Sequence, residues 1–70
     1  MKVLAKDNLS LERIRKGYNG SDIAEKIGIT KMGYHNIEKR KNGADPKNAK
    51  KICEVLDAEF EELFEVVDNG

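Results

Sequence analysis

The stretch IGITKMGYHNIEKR, residues 27–40, brings Lys31, Met32, His35 and Asn36 close together on faces that a small core does not need. Lys31 can donate to guanine O6 or N7, the Asn36 amide can pair bidentately with adenine, and Met32 can pack on a thymine methyl group. Directly afterwards comes a basic run, Lys39-Arg40-Lys41. This is the chemistry of recognition rather than of bond making. No paired carboxylates sit at an apolar site, no Ser/His or Cys/His dyad suggests itself, and no Gly-rich phosphate loop is present. A chain of 70 residues also leaves little volume for a substrate pocket. The expectation is therefore a protein that is not an enzyme and needs no cofactor. His35 is the single histidine, and the chain has no zinc-ligand spacing, so His35 reads as a solvated side chain and no metal site is expected.

Charge supports a polyanion-facing role for part of the chain. All 13 Lys and Arg lie within residues 1–53 against six acids, a balance of +7 (13 − 6). Residues 54–70 hold the other seven acids and no base, a balance of −7, so the net charge of zero conceals a dipole along the sequence. Hydrophobic content of 39% with 37% charged residues suits one small folded domain with a modest core. No apolar run approaches the ~18 residues of a membrane span, and no secretory leader is apparent. Cys53 is the single cysteine and has no disulfide partner within the chain. A cytoplasmic location follows as the expectation, with Cys53 a small buried hydrophobe.

These side chains must be positioned by short elements. Apolar spacing predicts helices near residues 10–16, 20–27, 31–40, 46–57 and 60–66, filling a single domain over residues 1–67 with a tail at 68–70. In the first, Ser10 is the expected N-cap and Leu11 and Ile14 the inward face. In the second, Ile23, Ala24 and Ile27 face inward, Asn19 or Ser21 caps the start and Gly28 ends it. The third opens at Thr30 and buries Tyr34 and Ile37. The fourth begins with Pro46 and sets Ala49, Ile52, Cys53 and Leu56 at i, i+3, i+4, i+7. The segment EFEELFEVV continues this spacing with Phe60, Leu63, Phe64 and Val67, while Val3-Leu4-Ala5 is too short to assign. The fold class expected is all-α.

Within SDIAEKIGITKMGYHNIEKR, Ala24, then Gly28 four later, Ile29 directly after and Ile37 nine after the glycine satisfy the pattern of a helix-turn-helix. Together with YHNIEKRKNG and DPKNAKKICEVLDAEFEELFE, this resembles the Cro/repressor-type (XRE-like) helix-turn-helix regulators of phages and bacteria over residues 11–65. The resemblance implies a compact five-helix, lambda-repressor-like DNA-binding domain whose second helix of the motif enters the major groove. By position it implies that Lys31, Met32 and Asn36, with His35 and Gly33 at the margin, face bases. It implies that Asn19, Gly20 and Thr30, and Lys39, Arg40 and Lys41 beyond the recognition helix, face phosphates. It further implies that Arg15 or Arg13 pairs with Glu38. Gly20 departs from the family's usual Gln, the first helix is shorter and the loop from Arg40 to Pro46 is longer.

Read this way, the chain is a small phage- or prophage-type repressor that occludes an operator in double-stranded DNA. The stripe of Phe60, Leu63, Phe64 and Val67 offers a dimer or partner surface, and a twofold dimer would read a palindromic operator with half-sites ~34 Å apart. The rival reading is a protein-interaction module (antitoxin, anti-repressor or scaffold) on the same fold.

Overall fold

The computed structural model describes residues 1–68, and its elements run β1 (Lys2–Ala5), α1 (Asp7–Arg15), α2 (Gly20–Ile27), α3 (Lys31–Glu38), α4 (Pro46–Leu56), α5 (Phe60–Leu63) and β2 (Phe64–Val67). Of the tail expected at 68–70, only Asp68 lies within the described residues. The helices enclose one core, in which Leu9, Ile23, Tyr34, Ile52, Leu56, Leu63 and Phe64 are the largest fully buried side chains. No helix among the described residues is long and apolar enough to cross a membrane.

The class is mostly helical rather than all-α, because the two ends of the chain meet as a two-stranded antiparallel sheet. Residues 60–66 do not form one helix. α5 stops at Leu63, whose carbonyl accepts the Lys6 N–H at 2.8 Å, and Phe64 is extended (φ −135°, ψ 162°). From there the pairing is Ala5↔Phe64, Leu4↔Glu65, Val3↔Val66 and Lys2↔Val67. The helix-like spacing is thus divided between one turn of helix and a strand, in which β-branched Val66 and Val67 fit the pleat. Leu63 and Phe64 lie in the core at 0% and 1% exposure, which removes them from the expected dimer surface. Phe60 and Val67 are only partly covered.

The strand pairing also fixes where α1 begins. Helix starts at Asp7, straight after the Lys6 anchor, and not at Ser10, whose hydroxyl donates back to the Asp7 carbonyl from inside the helix. That start turns Leu9 and Arg13 inward, one turn apart, and leaves Leu11 and Ile14 outside at 51% and 62% exposure, the reverse of the expected inward face.

The alternation of hydrogen bonding in an antiparallel pair sends the backbone groups of Val3 and Ala5 to the far side of β1 and those of Val66 to the outer edge of β2. The far side of β1 is covered: Ala44 N–H donates to Val3 O (2.8 Å) and Arg40 Nη1 to Ala5 O (3.1 Å). The outer edge of β2 has no strand beside it among the described residues. α4 forms as its spacing implies, with Pro46 in the first turn, Asp45 Oδ1 accepting the Lys47 N–H and Ala49, Ile52, Cys53 and Leu56 buried; it ends at Leu56 because Asp57 turns left-handed (φ 51°).

Candidate nucleic-acid interface

α2 is closed at its start by a reciprocal cap. Asn19 Oδ1 accepts the Asp22 N–H and Asp22 Oδ2 accepts the Asn19 N–H, both at 2.9 Å. Asn19 therefore spends its oxygen on the helix and keeps its amide N–H groups free to donate outward. At the other end Gly28 sits at φ 79°, and its N–H and that of Ile29 return to the Ala24 carbonyl. A side chain at this φ would be strained, so glycine makes the turn possible. Ile29 then packs against the core, and Thr30 caps α3 by accepting the Gly33 N–H at Oγ1 (2.9 Å). The Thr30 hydroxyl proton remains available as a donor.

α3 divides its residues by face. Tyr34 and Ile37 are buried, whereas Lys31, Met32 and His35 are exposed and border one shallow depression. Asn36 lies beside them, half-buried. At helical spacing these four make one stripe. Met32 is 65% exposed, a large apolar side chain offered to solvent in the middle of the stripe. The structure therefore gathers Lys31, Met32, His35 and Asn36 on a single outward face.

Two glycines explain how closely the motif packs. A Cβ at Gly20 would come within 3.3 Å of Tyr34 Cδ2, so the backbone at the start of α2 lies against that ring. A side chain at Gly20 would therefore have to displace that ring by a few tenths of an ångström. A Cβ at Gly33 would stand 3.0 Å from Thr30 Oγ1 and crowd the cap.

The orientation of α3 is held from behind by Arg13. Its Nε donates to Glu38 Oε1 at 2.9 Å and its Nη1 to the Tyr18 carbonyl at 2.9 Å. The Glu38 hydrogen bond raises the affinity of the guanidinium for its proton above its already high value, against the opposing effect of burial. Arg15 instead pairs with Glu12 on the surface. The Tyr34 hydroxyl is buried and meets no hydrogen-bond partner of good geometry among the described residues; burial, reinforced by the Glu38 charge and opposed by the neighbouring Arg13, pushes its pKa well up.

α3 ends at Glu38, two residues short of Arg40, because Arg40 adopts a left-handed conformation (φ 62°). The Arg40 side chain explains why. Besides Ala5 O, its Nη1 reaches Glu65 Oε2 at 2.7 Å, tying the exit of α3 to the sheet and offsetting much of its charge. Lys39 and Lys41 are exposed and form no ion pair among the described residues, so they are the cations this loop presents most openly. The tie between Arg40 and Glu65 had no signal in the sequence, since it depends on the sheet. Among the described residues no group of His, Cys, Asp and Glu is placed to hold a metal.

With this geometry in view, the relationship to known proteins is clear. The helix-turn-helix family HTH_3 matches residues 9–63. The chain belongs to this XRE-type helix-turn-helix family. Both strands lie outside the matched segment. No curated protein matches in sequence. Among solved structures, the chain is similar to SinR, the master regulator for biofilm formation, in complex with DNA, at 28% identity and a TM-score of 0.70; the match covers 79% of this chain and 89% of that one.

Proposed function

We propose that this chain is a sequence-specific DNA-binding transcriptional regulator, a small phage- or prophage-type repressor that acts by covering its operator. The observation that carries the reading is the outward stripe of α3. Lys31, Met32, His35 and Asn36 stand together on an exposed helix whose opposite face is locked into the core. SinR, which shares this fold, was crystallised on DNA. In this reading α3 lies in the major groove, with Lys31 donating to guanine, Asn36 pairing with adenine and Met32 against a thymine methyl. Lys39, Lys41, Thr30, the Asn19 amide and the free N–H groups at the start of α2 hold phosphates. Arg40 is a weaker phosphate ligand than its neighbours because Glu65 already engages it.

A palindromic operator would call for two copies. The unpaired outer edge of β2, with Val66 at 53% exposure, is the place where a second copy would join.

Base-reading and phosphate-holding roles separate in one experiment. Asn36→Ala is expected to relax base choice at one operator position and cost about 1–3 kcal/mol. Lys39→Ala is expected to weaken binding alike on all sequences and to lower the slope of log K against log salt by roughly one unit. Affinity measured across a panel of single-base operator variants at several salt concentrations distinguishes them. Equal losses on every sequence for both variants would refute the assigned roles.

A further inference from the structure

We propose that the concavity between the C-terminal half of α4 and α5 is a docking groove for a basic, amphipathic segment of another protein. The groove has a volume of about 500 Å³, within the usual range for clefts that take a ligand. Its floor is apolar and built from Cys53, Ala58 and Phe60. Phe60 stacks on Phe64 with ring centroids 5.6 Å apart, and Phe64 is fixed in the core, so the floor is held in place rather than free to collapse. Cys53 is 7% exposed and lines the groove where it meets the core.

The rim decides what the groove can take. Glu54, Asp57, Glu59 and Glu62 surround the floor with Lys50 as the single cation among the lining residues. None of these four carboxylates forms an ion pair among the described residues; Glu59 and Glu62 are engaged in the reciprocal cap that opens α5, in which Glu62 Oε1 accepts the Glu59 N–H at 3.2 Å. The Cys53 thiol is pushed up first by burial and further by the acids around it, Glu61 outside the rim and Glu59, Glu54 and Glu62 on it. Nucleic acid and anionic lipid surfaces are repelled by such a site. A protein segment bearing Lys or Arg around an apolar side chain satisfies both features, placing the apolar group on Phe60 and Ala58 and its cations on the rim. The groove lies on elements separate from the α3 stripe and from Lys39 and Lys41, so a partner docked there need not displace DNA.

The test titrates the full-length, isotopically labelled protein with a synthetic helical peptide of Leu and Lys, the Leu residues at i, i+3, i+4 and i+7. Saturable shifts are expected at the amides of Cys53, Ala58 and Phe60. Replacing the peptide's Lys by Glu should abolish the shifts, and replacing its Leu by Ser should weaken binding by about tenfold or more. Glu54→Lys, an exposed position outside the core, should weaken the original peptide by a similar factor. The proposal is overturned by the absence of saturable binding, by shifts centred on α3 instead, by equal binding of the Ser-substituted peptide, or by an unchanged affinity in Glu54→Lys. Because these shifts are read without DNA, failure of this proposal and failure of the DNA-binding reading are separate outcomes.

Discussion

Tyr34 concentrates the residue-scale conflicts of this chain. Its ring fills the junction of α2 and α3, yet its hydroxyl, beside Arg13, is buried with no well-formed hydrogen bond among the described residues. A buried donor left unsatisfied costs about 1–3 kcal/mol, so Tyr34→Phe is expected to stabilise the fold by about 1 kcal/mol near neutral pH. The same substitution carries a pH signature. The folded-state pKa of Tyr34 is raised above its unfolded value of 10.0, so folding protects the protonated phenol. The resulting contribution is present in full below the unfolded pKa and is lost as pH rises beyond it. Denaturant midpoints measured on either side of pH 10 should therefore fall more steeply for the wild-type protein than for Tyr34→Phe; parallel decline would show that Tyr34 does not titrate with unfolding. Gly20 answers to the same ring. Gly20→Gln is expected to destabilise by about 1–3 kcal/mol through overpacking, and Tyr34→Leu should relieve most of that loss. A double-mutant cycle in thermal denaturation measures the coupling, and additive effects would show that the two positions act independently.

At the scale of elements, the helix-turn-helix was legible because each of its joints is a local device. Gly28 supplies the left-handed turn, Thr30 the cap of α3, and Ala24, Ile27 and Ile37 the close inner faces, all readable from residue type and spacing. α4 was equally plain, with its Pro46 start and regular apolar stripe. What was hidden depended on partners far away in sequence. β1 and β2 are each four residues long and exist only because they pair with one another across the whole chain. Their pairing sets the phase of α1, which is why Leu11 and Ile14 face outward and why Arg13, rather than Arg15, meets Glu38. Arg13 and Glu38 are only 16% and 9% exposed, so removing one partner leaves a partly buried charge uncompensated. Glu38→Ala is expected to cost about 1–3 kcal/mol, between an exposed and a fully buried pair. Replacing both by apolar residues, Arg13→Met with Glu38→Leu, should recover most of the loss in urea unfolding. A double variant as unstable as Glu38→Ala would contradict this.

Across the whole molecule, the sequence dipole becomes a spatial division of labour. The acids after residue 53 line the α4–α5 groove and supply Glu65, which pairs with Arg40 at the exit of α3. Three exposed bases outside the ion pairs found among the described residues, Lys31, Lys39 and Lys41, lie on α3 and the loop after it. A chain of zero net charge can in this way still present a cationic face, although its long-range pull on DNA is weaker than that of a uniformly basic protein. The candidate site was legible as a set of outward residues on α3; the engagement of Arg40 was not, because its partners belong to the sheet. The central claim is that α3 reads base sequence. The most direct measurement is the affinity of the purified protein for genomic fragments flanking its own gene against random duplex DNA, at two salt concentrations. The account predicts a salt-sensitive complex with a preference of at least about a thousandfold for one fragment. Weak binding that is equal on every fragment, or no binding at all, would contradict it.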